Sequence, residues 1–515
     1  MTIANAEESR GPQPNLIAER NVSDAFGAEH LRTDLKGRSV RGAFWTLSSQ
    51  GAQFLLQSLS TVVLARLLTP ADFGIVAMVT AITVFGQGFA DLGLSEATIQ
   101  SQKINHDQVS ALFWVNFAIG VGLTAVTMML APALAWFYHE PRLEGITLWL
   151  SLTFLIGGLR VQHTALLKRQ MRFKALAFRD VSSAALGVFA AIIIALRDGG
   201  YWAIVALPLT LNSTQMALSW ILVRWTPGPP RRGGNVRSLL TLGGNVAASY
   251  LITNVTANAD NILIGWYWGA APLGLYSRAY NLLTLPVRQL NVPIGGVAFP
   301  TLSRIQSEPE RFARYYLRFI RLTMWAGAPI FGFVFVAAGP VIIIVLGKQW
   351  WDAAPIFQIL AISAPAQLVF ESIMWILISR GQSARLLRLM SIVAPLMVGS
   401  FAIGLPFGAK GVAWAGSLTL LFAMPWMLRF AFRGTGLTLR SFWQAVWIPI
   451  TLCMISVCAA EVVHHWIKPQ RVFLQLSLVA LVFTATYALS TAIRPIRQDL
   501  LTFRDLFSEL RIKMR

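Results

Sequence analysis

Fourteen long apolar segments decide what kind of fold this chain can adopt. Each has about the 20 residues that an apolar helix needs to cross a bilayer, and polar or charged stretches separate them. Charged residues make up only 13% of the chain, against ~25% in soluble proteins. The sequence therefore predicts an all-α polytopic membrane protein with about 14 transmembrane helices, near residues 43–68, 74–98, 110–137, 143–167, 176–196, 201–225, 238–268, 272–299, 315–346, 353–379, 386–406, 411–431, 442–463 and 472–492.

Lysine and arginine are concentrated in alternate loops. If the N-terminus is cytoplasmic, most of them fall in inside loops, as the positive-inside rule requires. These loops and the basic C-terminal tail account for most of the formal net charge of +20, so nucleic acid is not an expected partner. We predict that both termini are cytoplasmic, because the outside loops then carry only Arg142, Arg197, Lys348, Lys410, Lys468 and Arg471.

A stretch rich in proline and glycine, residues 227–230, divides the chain into halves of about six helices each. With an offset of 200 residues, Gly74 corresponds to Gly274 and Asp91 to Asn291, which indicates a weak internal repeat. We predict a disordered cytoplasmic leader at 1–37, an N-lobe of helices 1–6 at 38–225, a cytoplasmic linker at 226–237, a C-lobe of helices 7–12 at 238–431, helices 13 and 14 at 432–492, and an amphipathic tail on the inner leaflet at 493–515.

Several predicted helices carry polar side chains along one face, at spacings of three and four residues. Lipid does not solvate such a face, so it must look onto other helices or a water-filled cavity. The function is expected in that cavity. The residues concerned are Gln53 and Gln57 in the first helix, Gln87 and Asp91 in the second, Thr253 and Asp260 in the seventh, and Asn281 and Arg288 in the eighth, with Glu371 as a further acid in the tenth.

Charges also cluster around the basic loop at residues 168–174. Arg160 and His163 precede the loop, and Arg179 and Asp180 follow it. Two interpretations stay open. The charges reflect positive-inside topology with a local Arg179–Asp180 arrangement at the surface, or they form a basic collar that draws an anionic lipid headgroup.

The sequence lacks the motifs of several enzyme classes. The glycines around Gly347-Lys348-Gln349 are wrongly spaced for a nucleotide-binding loop, and Gln349 replaces the required Ser or Thr. The histidines form no metal-ligand pattern with cysteine or carboxylates, and no nucleophile–base pair stands out. We therefore expect neither an enzyme nor a cofactor.

The segments LARLLTPADFG (64–74) and DLGLSEATIQ (91–100) resemble the N-terminal signature of bacterial Wzx-type polysaccharide flippases. These proteins form the exopolysaccharide and colanic acid exporter branch of the multidrug/oligosaccharidyl-lipid/polysaccharide (MOP) superfamily. The resemblance covers roughly residues 38–430. Further motifs that match are FYHEPRL (137–143), DNILIG (260–265), LGLYSRAY (273–280), FPTLSR (299–304) and GKQW (347–350).

This resemblance implies a MOP/MATE-like fold and a flippase in the bacterial inner membrane. The cargo it implies is an undecaprenyl-pyrophosphate-linked oligosaccharide repeat unit, which crosses from the cytoplasmic to the periplasmic leaflet by alternating access. The implied partners are inner-membrane lipids, a polysaccharide polymerase and chain-length or export machinery. The sugar itself is not indicated.

With that cargo, residue chemistry assigns roles to the polar positions. Arginine matches phosphate oxygens, so Arg288, Arg278 and Arg66 are predicted pyrophosphate contacts, although Arg66 is equally suited to reach outer headgroups. Amides and hydroxyls replace water around sugar hydroxyls. That role is assigned to Gln53, Gln57, Gln87, Thr253 and Asn281, while Asp91, Asp260 and Glu371 pair with the arginines or bind a coupling H⁺ or Na⁺.

Two alternatives stay open. One is a cation-coupled multidrug exporter of the same superfamily. The cargo of such an exporter would be cationic, so the cavity richer in arginine than in acid that we expect argues against it. The other is a membrane-embedded polysaccharide polymerase or ligase. Such enzymes usually carry a large periplasmic loop, which this sequence does not show.

Overall fold

The computed structural model describes residues 35–87, 94–101, 104–229, 257–467 and 472–490. Within these ranges the regular secondary structure is helical, without strands. We number the helices in chain order: α1 (Leu35–Leu67), α2 (Pro70–Gln87), α3 (Leu94–Gln100), α4 (His106–Tyr138), α5 (Arg142–Arg169), α6 (Phe173–Leu196), α7 (Trp202–Val223), α8 (257–268), α9 (Ala270–Arg304), α10 (Pro309–Val336), α11 (Ala338–Val345), α12 (Ala353–Ser379), α13 (Ser383–Gly404), α14 (Gly408–Phe432), α15 (Leu439–Ile467) and α16 (Val472–Ser490).

Eight helical segments among the described residues are long and apolar enough to cross a membrane. One of them is the continuous stretch Ser383–Phe432, which contains both α13 and α14, whereas α2 is apolar but shorter. The prediction of an all-α membrane protein is confirmed. The count of fourteen spans is not confirmed and remains a prediction.

The described residues fall into two compact units. The first unit lies within Met1–Ser60, Thr83–Ala135 and Pro141–Leu251, and the second within Thr61–Ile82, Trp136–Glu140 and Ile252–Arg515. The last turns of α1, most of α2 and the end of α4 therefore belong to the second unit. The predicted domain limits stay predictions.

In the first unit, α7 packs against both α5 and α6. Two neighbouring residues of α6 form an ion pair where these helices pack together. Arg179 Nη2 is 2.6 Å from Asp180 Oδ1, and the two side chains are 6% and 24% exposed. Arg179 also donates to the hydroxyls of Thr164 on α5 and Ser219 on α7. The surface arrangement suggested for this pair is therefore wrong, because Arg179 joins three helices in the interior.

The chain that follows α7 is fixed to α4. Trp225 Nε1 donates to His106 Nδ1 at 3.0 Å, the amide of Gly228 donates to Ser110 Oγ at 2.9 Å, and Trp114 Nε1 donates to the Gly228 carbonyl at 2.7 Å. The side chains of α4 that form these bonds are those of His106, Ser110 and Trp114. They follow one another at intervals of four residues and therefore share one face of the helix. The first residues of the predicted linker thus pack on the first unit, and residues 230–237 lie outside the described residues.

In the second unit, α9 packs along α12, which also packs against α10 and α14, while α13 packs on α14. Both α9 and α12 start near the end of α1, because Gly274 contacts Pro70 and Trp350 contacts Ala65. The two helices therefore run parallel. Their shared face places the candidate site.

Candidate functional site

Two glycines bring α2 and α9 into backbone contact in the second unit. A Cβ atom added to Gly74 would lie 1.7 Å from the carbonyl oxygen of Ala270, and one added to Gly274 would lie 1.8 Å from that of Pro70. We call this contact the glycine crossing. Only residues without a side chain allow two backbones to approach this closely.

The carboxyl ends of α1 and α11 cap each other near the glycine crossing. The last carbonyls of a helix lack partners within the helix and carry partial negative charge. Gln349 Nε2 and Trp350 Nε1 both donate to the Ala65 carbonyl of α1, at 2.5 and 2.7 Å. In return, Arg66 Nη2 donates to the Ile344 carbonyl in the last turn of α11, at 2.6 Å. Two motifs that are far apart in the sequence thus satisfy each other's helix ends.

Arg278 lies against the start of α2. Its guanidinium carbon is 4.1 Å from the centre of the Phe73 ring, a cation–π geometry. The Phe73 ring in turn meets the Trp350 ring edge to face at 5.4 Å. The buried Nε atom of Arg278 has no hydrogen-bond partner among the described residues. Arg66 and Arg278, two predicted pyrophosphate contacts, therefore lie around the glycine crossing.

A cavity of about 390 Å³ lies wholly within the second unit. Helices α8, α9, α12, α13 and α14 form its walls, and it contains three of the predicted site residues. Its volume falls in the ~300–1,000 Å³ range of small-molecule sites. The polar and charged residues of its lining are Asp260, Tyr276, Tyr280, Thr284, Arg288, Ser363, Gln367, Glu371 and Ser417.

Asp260 is buried at one end of this cavity, with both carboxylate oxygens engaged. Tyr276 donates its hydroxyl to Oδ2 at 2.7 Å, and the amide of Asn261 donates to Oδ1 at 2.8 Å. The Tyr280 ring stacks on Tyr276 with centroids 6.2 Å apart. The tyrosine and the amide hold the carboxylate in a fixed orientation.

Arg288 and Glu371 lie farther along the cavity, and both are exposed. They are close enough to interact electrostatically. Within the described chain, neither Glu371 nor Asp260 has an arginine nitrogen within 4.0 Å. The lining holds two carboxylates and one guanidinium, so the expectation of more arginine than acid does not hold for this cavity.

The other predicted site residues lie elsewhere. Gln53 and Gln57 are in the part of α1 that belongs to the first unit, where Gln53 donates to the Ser49 carbonyl at 3.2 Å. Asn281 is exposed on α9 and does not line the cavity. Gln87 is the last residue of α2. Asp91 and Thr253 lie outside the described residues.

Tyr276, Tyr280 and Gln367 also line the cavity, and they were not predicted as site residues. On α9, Tyr276 and Tyr280 precede Thr284 and Arg288 at intervals of four residues, which places all four on one helical face. That spacing is the signal that identifies the tyrosines. Among the residues that the structure describes, no group of three or more His, Cys, Asp or Glu side chains could hold a metal ion.

Comparison with known proteins adds the family context. The profile of a family described as "Polysaccharide biosynthesis protein" matches residues 63–355. The teichuronic acid biosynthesis protein TuaB of Bacillus subtilis is 27% identical over 67% of this chain and 72% of its own length. The succinoglycan biosynthesis transport protein ExoT of Rhizobium meliloti is 26% identical over 63% of this chain and 66% of its own.

Two solved structures share the fold. The lipid II flippase MurJ, in an inward closed conformation, aligns with a TM-score of 0.69 at 12% identity, over 87% of this chain and 99% of its own. An inward-facing MATE transporter of the MOP superfamily aligns with a TM-score of 0.59 at 14% identity, over 75% and 96%. At these identities the likeness concerns the fold alone, and it confirms the predicted MOP/MATE-like architecture.

Proposed function

Since the chain belongs to the polysaccharide biosynthesis protein family, we propose that it transfers a lipid-linked saccharide across the membrane. The proposed cargo is an undecaprenyl-pyrophosphate-linked oligosaccharide repeat unit, carried from the cytoplasmic to the periplasmic leaflet of the bacterial inner membrane by alternating access. ExoT is named a transport protein and MurJ a flippase. Both names support a transporter and not an enzyme.

The observation that carries the proposal is the position of Arg288. It lies close to the midpoint of the 35-residue helix α9 and is exposed along the cavity. A charge halfway along a membrane helix costs several kcal/mol unless it serves a ligand or lines water. Its guanidinium matches phosphate oxygens in geometry and charge. Arg288 is therefore our first candidate for contact with the pyrophosphate.

The arginines around the glycine crossing are secondary candidates. Arg278 stacks on Phe73 and Arg66 caps α11. A pyrophosphate contact by either residue requires that these contacts separate during transport. Asp260 and Glu371 are the candidates for a coupling H⁺ or Na⁺, because they are the two carboxylates of the cavity.

Deletion of the gene in the native bacterium tests the proposal. The strain is complemented with the wild type or with Arg288→Gln, and lipid-linked saccharides are measured on each side of the inner membrane. We expect complete repeat units to accumulate facing the cytoplasm in the deletion strain, and the wild type to clear them. Completed units that reach the periplasm but stay unpolymerised would overturn the proposal in favour of a polymerase.

A second candidate function is the export of cationic compounds, as in a cation-coupled multidrug exporter. The observation in its favour is the excess of carboxylate over guanidinium in the cavity lining. The same deletion strain decides between the two functions. If the protein is an exporter, its loss makes the strain more sensitive to cationic drugs and leaves the surface polysaccharide unchanged. If it is a flippase, its loss changes the surface polysaccharide and leaves the sensitivity to cationic drugs unchanged.

A further inference from the structure

The cavity of the second unit has two unlike walls. Helices α8, α9 and α12 hold the charged groups of the lining and form the polar wall, which we define by Asp260, Tyr280, Thr284, Arg288, Gln367 and Glu371; Val287, Leu360 and Phe370 of these helices also line the cavity. Helices α13 and α14 form the apolar wall, which we define by Met390, Val393, Met397, Phe401 and Leu420; their polar lining residue is Ser417, whose hydroxyl donates to Ser363. A ligand that fits between them must be polar along one side and apolar along the other.

We infer that this cavity is a saccharide subsite, which holds a sugar ring of the transferred headgroup between the two walls. The inference rests on the proposed function and adds where the sugar binds. A pyranose ring presents hydroxyl groups around its edge and C–H groups on its faces. The hydroxyls suit the carboxylate and amide groups of the polar wall, and a C–H face suits the apolar wall.

Two polar groups of the wall have unused capacity for hydrogen bonds. The Gln367 amide is half-buried on the cavity lining and forms no hydrogen bond with the described residues, so its donors and acceptor are available to a ligand or to water. Each carboxylate oxygen of Asp260 accepts one hydrogen bond and can accept a second. Asp260 is already oriented, so a sugar hydroxyl that binds it need not order the carboxylate.

The negative charge of Asp260 and the positive charge of Arg288 indicate which end of the cavity takes the sugar and which takes the phosphate: the sugar lies toward Asp260 and the phosphate toward Arg288. Tyr276, which bonds to Asp260, and Arg288 are twelve residues apart on α9, or about 18 Å at 1.5 Å per residue. Glu371 interacts with Arg288 at the far end, whereas no cation approaches Asp260 within 4.0 Å among the described residues. An isolated carboxylate repels phosphate but accepts hydrogen bonds from neutral hydroxyls. We therefore place the saccharide on the Asp260 side of Glu371, where the lining includes Gln367, one helical turn before Glu371 on α12.

Two lipids test the inference, and the binding of each to purified full-length protein in nanodiscs is measured. The first probe is the lipid-linked saccharide that accumulates in the deletion strain. The second is undecaprenyl pyrophosphate, which lacks the sugar. For the wild type we expect the first probe to bind more tightly than the second. A wild type that binds the two equally overturns the saccharide subsite, and one that binds neither overturns the proposed function as well.

Gln367→Leu removes the unpartnered amide, and Asp260→Asn removes the acceptor charge. We expect each to weaken binding of the first probe about tenfold and to leave the second unchanged. Gln358→Leu is the matched control, because Gln358 lies on α12 outside the cavity lining. Equal weakening for both probes, or no effect in Gln367→Leu, overturns the inference. If Asp260→Asn fails to fold, Thr284→Val replaces it, with Thr301→Val on the same helix as its control.

Discussion

Gly74 of α2 packs directly against the start of α9, and Gly274 of α9 packs against the start of α2, with no room for a side chain on either residue. These two glycines are 200 residues apart, at corresponding positions of the predicted repeat. A methyl group on either one must push a carbonyl aside, because it would lie below 2 Å from that oxygen. The glycine crossing therefore depends on both residues.

Gly74→Ala and Gly274→Ala should each destabilise the protein. Overpacking of a close contact costs about 1–3 kcal/mol, so we expect a lower midpoint temperature of thermal unfolding in detergent. Gly51→Ala is the control, because an added Cβ at Gly51 on α1 meets nothing within 4 Å. A midpoint for Gly74→Ala equal to that of Gly51→Ala would mean that the two helices are not in contact in the protein.

Gln349→Glu should release the carboxyl end of α1. The Gln349 amide donates to the carbonyls of Ala65 and Leu68, whereas a carboxylate cannot donate and repels the negative end of the helix. Loss of the two bonds costs about 1–3 kcal/mol, which lowers the unfolding midpoint. Lys348→Gln, at the neighbouring and equally exposed position, removes neither bond and should leave the midpoint unchanged. The prediction is wrong if the two variants unfold at the same temperature.

Asp180→Asn should destabilise the first unit by about 3 kcal/mol, because it leaves the Arg179 guanidinium in the interior without its counter-charge. The exposed pair of Arg311 and Glu308 is the comparison, since its side chains are 44% and 52% exposed. Glu308→Gln should therefore have no measurable effect on thermal unfolding. Equal effects of the two substitutions would show that Asp180 is solvated.

Much of the fold could be predicted from the sequence, because membrane helices need long apolar runs and such runs are local. The motif segments around Gly74, Gly274 and Gln349 were also recognised. What was not predicted is that they contact one another. Gln349 and Arg66 both bond to main-chain carbonyls far away in the sequence, and every residue has a carbonyl, so no pattern of side chains identifies these partners.

The candidate site was predicted in part. Asp260, Arg288 and Glu371 stood out as charges inside apolar segments, and the structure brings all three to one cavity. Tyr276 and Tyr280 were not predicted, because the type of residue alone does not distinguish a lining tyrosine from any other tyrosine of a membrane helix. Their role depends on the hydroxyl of Tyr276 reaching Asp260 from another helix. The apolar wall could not be predicted, since Met and Phe that face a cavity look the same in sequence as those that face lipid.

Transport by the purified protein tests the central claim most directly. The lipid-linked saccharide from the deletion strain is placed in the inner leaflet of proteoliposomes, and its arrival in the outer leaflet is followed with a sugar-modifying reagent that cannot cross the membrane. The account predicts transfer by the wild type, transfer at least about tenfold slower by Arg288→Gln, and an unchanged rate for Arg304→Gln in the exposed last turn of α9. No transfer by the wild type, or equal rates for Arg288→Gln and the wild type, would contradict it.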